Sequence, residues 1–151
     1  MMRTMAVALF CAGLPLAAQA DDLMTMEEVV EAAKAGIEFL DNDYVAARLA
    51  ANPDLLLFDV RTEAEFELGR IPGAQWLPRG KAEFEVAETV READAEIIIY
   101  CRTGSRAALV KKALDAQGYR NVSAHEGFET WSGEGRVFET GAGSVRLVVV
   151  E

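Results

Sequence analysis

The chain has 151 residues, a formal charge of −10 from 15 Lys and Arg against 25 Asp and Glu, and a mean hydropathy of +0.08. That length suits one ordinary domain, and the acidic balance excludes the clustered basic surface that a nucleic-acid binder needs. It also repels anionic ligands weakly overall, so an anion site in this chain has to be built locally.

Residues 1–20 read MMRTMAVALFCAGLPLAAQA, with Arg3 ahead of the apolar stretch Ala6–Leu16 and Ala18-Gln19-Ala20 at the end. A charged start, a short apolar core and a small-x-small site predict a secretory signal peptide cleaved after Ala20, and hence a periplasmic or secreted protein. The rival, a membrane anchor, needs a longer apolar run, so no stable membrane insertion is expected. Cys11 lies in this run directly behind bulky Phe10, which argues against a lipid attachment site. Cleavage leaves Cys101 as the only cysteine. An unpaired thiol in an exported chain cannot serve as an internal staple and reads as a reactive group.

Residues 21–36 form an N-terminal helical segment. Thr25-Met-Glu-Glu28 is a capping box, and the helix it opens runs to about Ala35 and stops at Gly36. Ile37–Leu40 follows as a short strand. Asp43 is placed as the cap of a second helix, with Tyr44, Val45 and Leu49 on its apolar side and Asn52-Pro53 at its end. Leu55–Val60 and Ile97–Tyr100 are continuous apolar runs of strand length, the pattern of strands covered on both faces in a parallel sheet.

Thr62-Glu-Ala-Glu65 is a second capping box, for a short helix ended by Gly69. Ile71-Pro-Gly-Ala74 is turn chemistry leading into a strand at Gln75–Leu77. Phe84, Ala87 and Val90 share one side of a helix, and Ala107, Val110, Ala113 and Leu114 share one side of another, closed by Gly118. Val122–Ala124 is a strand, and Phe128 with Trp131 marks a small final helix. Trp76, Trp131, Phe66 and Phe128 are expected in the core. The tail Val145–Val150 is strand-like. Alternating strands and helices predict an α/β domain over 37–135 with a mostly parallel sheet and helices on both faces, followed by a C-terminal extension, 136–151.

The stretch YCRTGSR, 100–106, puts Cys101 at the carboxyl end of a buried strand, where open α/β sheets bind ligands. The following helix points its free N–H groups back at the loop and favours negative charge there. Gly104 lets the backbone turn so that successive amides converge on an anion. Arg102 and Arg106 add positive charge, which favours the thiolate. The plainer alternative is a small buried hydrophobe at a strand end. Ser105 suits either donation to an anion or helix capping. Asp59 and Arg61 end the neighbouring strand near the same face and read as structure rather than chemistry. Arg79 follows a strand end, within reach of a substrate or simply solvated. His125, the only histidine, is placed as an ordinary loop residue.

LLLFDVRTEAEFELGRIPGAQWLPRG (55–80), IIIYCRTGSRAALVKKALDAQGYRNVSAHEGFETW (97–131) and the preceding Asp41–Ala51 resemble the rhodanese-like (thiosulfate sulfurtransferase) family. The resemblance implies a single domain with a five-stranded parallel core and Cys101 as the sulfur-carrying nucleophile. It further implies a substrate anion cradled by the amides of Arg102, Thr103, Gly104, Ser105 and Arg106, with Asp59 ordering the loop and Arg61 paired with Glu65 or another carboxylate. Two departures stand out: Gly69-Arg70 replaces the usual Gly-His, and Glu126-Gly127 replaces the usual Gly-Gly. Four residues separate Cys101 from Arg106, whereas the related cysteine-dependent phosphatases need five and a wider cradle. The loop arginines suit dianionic thiosulfate better than mercaptopyruvate.

The expected reaction is therefore ping-pong transfer of a sulfane sulfur from thiosulfate, through a Cys101 persulfide, to cyanide, a small thiol or a protein sulfur acceptor. That chemistry calls for no cofactor and no metal. The alternative is a persulfide carrier or protein-interaction module without turnover.

Overall fold

The computed structural model describes residues 23–148. Its first helix, α1 (Met26–Lys34), opens as the capping box dictates: the Thr25 amide donates to Glu28 at 2.7 Å, and the Glu28 amide donates to the Thr25 hydroxyl at 3.3 Å. The elements that follow are β1 (Phe39–Leu40), α2 (Asn42–Ala51), β2 (Leu56–Asp59), α3 (Glu63–Leu68), β3 (Gln75–Trp76), α4 (Ala82–Thr89), β4 (Ile97–Tyr100), α5 (Ser105–Gln117), β5 (Val122–His125) and α6 (Phe128–Gly133). A hairpin, β6 (Phe138–Thr140) and β7 (Gly143–Val145), completes the described chain.

Five strands form one parallel sheet in the order β1-β5-β4-β2-β3. β4 is central, and Ile97, Ile98, Ile99 and Tyr100 are all at most 1 % exposed, as an unbroken apolar run requires when both faces are covered. Alternation sends Ile97, Ile99 and Cys101 into the core shared with Val86 of α4 and Val110 and Leu114 of α5. Ile98 and Tyr100 enter the opposite core, with Val45 of α2, Trp131 of α6 and Phe138. Each such aliphatic side chain contributes about 1.5–3 kcal/mol by leaving water. This is the expected α/β domain with helices on both faces. No helix among the described residues is long and apolar enough to cross a membrane.

Several local readings change. Asp41, not Asp43, caps α2, accepting from the Tyr44 amide at 2.7 Å, and Tyr44 is exposed. The buried side of α4 is Ala82 and Val86, continued by Val90, because these repeat every four residues; Phe84 and Ala87 face solvent. Trp76 is on an edge strand and is 38 % exposed, with its indole N–H donating to the Arg61 carbonyl at 3.1 Å, so only part of its ring is core.

The first strand shortens to Phe39–Leu40. Of the strand-like tail Val145–Val150, only Val145 is strand, as the end of β7, which pairs antiparallel to β6 rather than joining the main sheet; residues 146–148 are irregular, and residues 149–151 lie outside the described residues. This hairpin is tied to the domain by reciprocal backbone hydrogen bonds between Arg70 and Glu139, both 2.8 Å, and by buried Phe138. The signal-peptide reading for 1–20 also lies outside the described residues.

Candidate active site

The site grows from the carboxyl end of β4. Cys101 is 1 % exposed, and the chain then turns through Arg102, Thr103 and Gly104 into α5. Gly104 has φ +89°, and a Cβ there would sit 2.8 Å from the Phe39 ring and 3.3 Å from the Glu126 carbonyl. Only glycine accepts both the left-handed backbone and the close walls. The first turn of α5 is closed by the Ala108 amide donating to the Gly104 carbonyl at 2.9 Å. Amides ahead of that bond, through Ala107, have no intrahelical acceptor and form the positive end of the helix.

The loop is held from behind by α6. Its Phe128 amide donates to the Cys101 carbonyl at 2.8 Å, and its Glu129 amide to the Arg102 carbonyl at 3.1 Å. In a trans peptide the C=O and the next N–H point in opposite directions, so the amides of Arg102 and Thr103 face away from α6. Gly127 makes this approach possible. Its φ is +129°, and a Cβ would lie 2.3 Å from the Arg102 carbonyl oxygen. No non-glycine residue described has a positive φ, Glu126 included, so the substitution of glutamate in the usual Gly-Gly pair costs nothing in the backbone.

Both loop arginines are already paired. Arg106 makes a two-pronged ion pair with Glu65 of α3, at 3.0 and 2.9 Å. Glu65 holds the guanidinium charged, and the Cys101 sulfur acts in the same direction. Arg106 in turn, with help from Thr62, pulls the Glu65 carboxyl down to about 2. Arg102 pairs with Glu129 of α6, both groups being more than half exposed. The cradle is therefore not an open cluster of positive charge, as its two arginines alone suggest. The positive potential left in the loop is that of its amides, with guanidinium groups whose donors are shared with Glu65 and Glu129.

Ser105 is the first residue of α5 rather than its cap; Gly104 is the cap, and no side chain bonds there. Thr103 and Arg102 are exposed on the rim. Asp59, fully buried, takes a two-pronged bond from Arg61, 4 % exposed, with 2.9 and 2.6 Å contacts. Arg61 also donates to the Gly69 carbonyl and lies 4.3 Å from the Phe128 ring, so Asp59, rather than Glu65, is its partner. This pair locks β2 to the support of α6. Arg79 is paired with Glu83 at 2.9 Å, one turn along the chain, and among the described residues makes no ion pair or hydrogen bond to the loop.

His125 is not a loop residue. It ends β5, fully buried, with Nε2 2.7 Å from the Asn42 side-chain oxygen and Nδ1 accepting from the Gly127 amide at 3.2 Å. Those contacts require the Nε2–H tautomer. Burial lowers its pKa to about 4, so the ring is neutral and braces Gly127. Glu129 had no signal in the sequence, and Glu65 reads there as a capping residue, which it is, accepting from the Thr62 amide at 3.0 Å, and as a candidate partner of Arg61; its pairing with Arg106 had no signal. A cavity of about 900 Å³ lies between α4 and the β2–β3 edge and takes in no residue of the cysteine loop.

Comparison with known proteins gives this arrangement a lineage. The rhodanese-like domain model matches residues 41–134. A sulfurtransferase of Allochromatium vinosum is 35 % identical over 97 residues, covering 64 % of this chain and 89 % of that protein. The thiosulfate:glutathione sulfurtransferase of Saccharomyces cerevisiae is 29 % identical over 87 residues, covering 50 % of this chain and 63 % of its own length. The solution structure of a polysulfide-sulfur transferase homodimer from Wolinella succinogenes superposes with a TM-score of 0.61 at 32 % identity, covering 71 % of this chain and 81 % of that one. Because the match runs from α2 through α6 and takes in the whole cysteine loop, the chain belongs to the rhodanese-like domain family, and its role is sulfur transfer.

Proposed function

We propose that the protein is a thiosulfate sulfurtransferase in which Cys101 carries the transferred sulfur. The observation that supports this most is the loop itself: a cysteine at the end of the central strand, with amides from Arg102 to Arg106 on the helix side and its carbonyls taken up by α6. The Cys101 thiolate attacks the outer sulfur of thiosulfate. The S–S bond of the donor breaks, its electron pair leaves with sulfite, and a Cys101 persulfide remains. Cyanide or a thiol then attacks the outer sulfur, and the pair of the breaking bond returns to Cys101 as the thiolate. The amides hold the departing oxyanion, and Arg106 shifts one of its donors from Glu65 to it as charge moves.

The pairing of both loop arginines with glutamates also favours a second reading, a carrier that is loaded by a less anionic persulfide and discharged only to a protein. Intact-mass measurement separates the two. Reduced protein incubated with thiosulfate alone gains one sulfur atom, cyanide removes it as thiocyanate, and Cys101→Ser does neither. A persulfide that forms but resists both cyanide and small thiols favours the carrier, and thiocyanate production by Cys101→Ser refutes a Cys101 mechanism altogether. The protein works outside the cytoplasm on this proposal, supported by the leader pattern of 1–20, and material recovered from the periplasm begins at Asp21. Recovery of uncleaved chain refutes that assignment.

A further inference from the structure

Glu65 has two duties in this fold, and only one of them needs its charge. It closes the capping box of α3, accepting from the Thr62 amide at 3.0 Å and from the Thr62 hydroxyl at 2.9 Å. Glutamine serves at that position too, because the box needs an oxygen acceptor and not a charge. The second duty is the two-pronged bond to Arg106, 41 residues away in the first turn of α5. There the carboxylate offsets a positive charge beside the cysteine loop.

That offset removes charge but not hydrogen-bonding capacity. Both contacts run from the terminal nitrogens of Arg106, Nη1 to Oε2 and Nη2 to Oε1. The Nε–H and the second N–H of each terminal nitrogen take no part in them, so donors remain for a ligand while the net charge is cancelled. Thr62 fixes the carboxylate from its other side, and the pair is 33 % and 30 % exposed. Arg102 and Glu129 form the corresponding pair on the rim at 64 % and 54 % exposure, where water screens both charges.

We propose that Glu65, acting through Arg106, sets donor selectivity: its carboxylate holds down affinity for dianionic donors such as thiosulfate and narrows their advantage over monoanionic ones. The inference rests on Cys101 carrying the sulfur. Coulomb energy scales with ligand charge, so in fold-change the penalty that one fixed carboxylate imposes on a dianion is the square of that on a monoanion. Glu65 touches no reacting atom. It is a positioning residue whose charge tunes the group that meets the donor.

The test compares thiosulfate with methanethiosulfonate, a monoanion with the same kind of S–S bond, as donors to the full chain with cyanide as acceptor. Glu65→Gln keeps the capping box and removes the charge. Its KM for thiosulfate is expected about fivefold below that of the native protein, and its KM for methanethiosulfonate about twofold below, the sizes expected of one partly exposed charge. Glu65→Asp, which keeps the charge and loosens the geometry, retains the native ratio of the two KM values and so separates charge from damage to the fold. Glu129→Gln, on the screened rim, changes each KM by less than about twofold. A thiosulfate KM that Glu65→Gln leaves unchanged, equal shifts for the two donors, or a Glu65→Asp that behaves as Glu65→Gln overturns the assignment.

A binding measurement is independent of turnover. Thiosulfate titrated into ¹⁵N-labelled Cys101→Ser shifts the amides of Thr103 to Arg106, and adding Glu65→Gln lowers its Kd about fivefold, against about twofold for nitrate. Absent shifts, or a Kd that Glu65→Gln leaves unchanged, overturn the role of Glu65. A lowered Kd without any persulfide formation on the native protein leaves that role standing and refutes the sulfurtransferase reading instead.

Discussion

Replacing Gly127 with alanine tests whether α6 shapes the cysteine loop. The new Cβ meets the Arg102 carbonyl oxygen at 2.3 Å, its carbon at 2.7 Å and the Thr103 nitrogen at 2.9 Å, all of them backbone atoms that no rotamer change can move. The residue also keeps φ at +129°, which an L side chain adopts only under strain. Strain of about 1–3 kcal/mol and overpacking of about 1–3 kcal/mol act together, for about 2–6 kcal/mol. Gly118→Ala is the control: its φ is +100°, but nothing lies within 4 Å of the added atom, so it reports strain alone.

Urea unfolding of both variants, followed by tryptophan fluorescence, separates the two contributions. With overpacking of about 1–3 kcal/mol and a slope of about 1–3 kcal/mol per molar, the midpoint for Gly127→Ala falls about 0.3–3 M below that for Gly118→Ala. The loop moves with the clash, so Gly127→Ala also loses sulfur loading from thiosulfate in the absence of urea, while Gly118→Ala keeps it. Equal midpoints and equal loading refute the claim that the α6 contact holds the cradle in place.

The chain's only histidine gives a pH signature: His125 has a folded pKa of about 4, so its contribution is complete above pH 6.5 and is lost as pH falls from about 6.5 to about 4, where the unfolded chain binds a proton that the folded one does not. The loss is about 3 kcal/mol by pH 4. It is absent from His125→Gln in paired unfolding titrations, and an imidazole NMR titration near 6.5 contradicts it. Asp59→Asn leaves the buried Arg61 guanidinium uncompensated and is expected to cost about 3–5 kcal/mol in urea unfolding; a change under 1 kcal/mol means that water or another group replaces the carboxylate. Arg106→Ala lowers kcat/KM for thiosulfate by about tenfold to a hundredfold, the range for a charge-assisted bond of about 1.5–3 kcal/mol, whereas exposed Arg102→Ala lowers it less than about fivefold. Equal, small effects of the two leave anion binding to the amides alone.

The local pattern of this chain determined a good deal. Capping boxes at Thr25 and Thr62, the apolar runs of β2 and β4, and glycine at 104 each act over a few residues, so the helix starts, the parallel α/β arrangement and the position of Cys101 were legible before any contact was known. The match of the CRTGSR loop to a sulfur-transfer family is of the same kind. Where short-range rules compete, the tertiary structure decided. Asp41 and Asp43 are equally good caps in isolation, and the packing of Val45 into the core selects the first.

The state of the loop arginines depends on Glu65 and Glu129, which are 41 and 27 residues away and meet them only because α3 and α6 flank the carboxyl end of β4. His125 became a buried brace for Gly127 for the same reason: β5 ends beside the loop, and burial, not sequence, sets its charge. Pairing across the fold is a long-range property that no local spacing encodes, and in this protein it governs how much positive charge the cysteine loop keeps free.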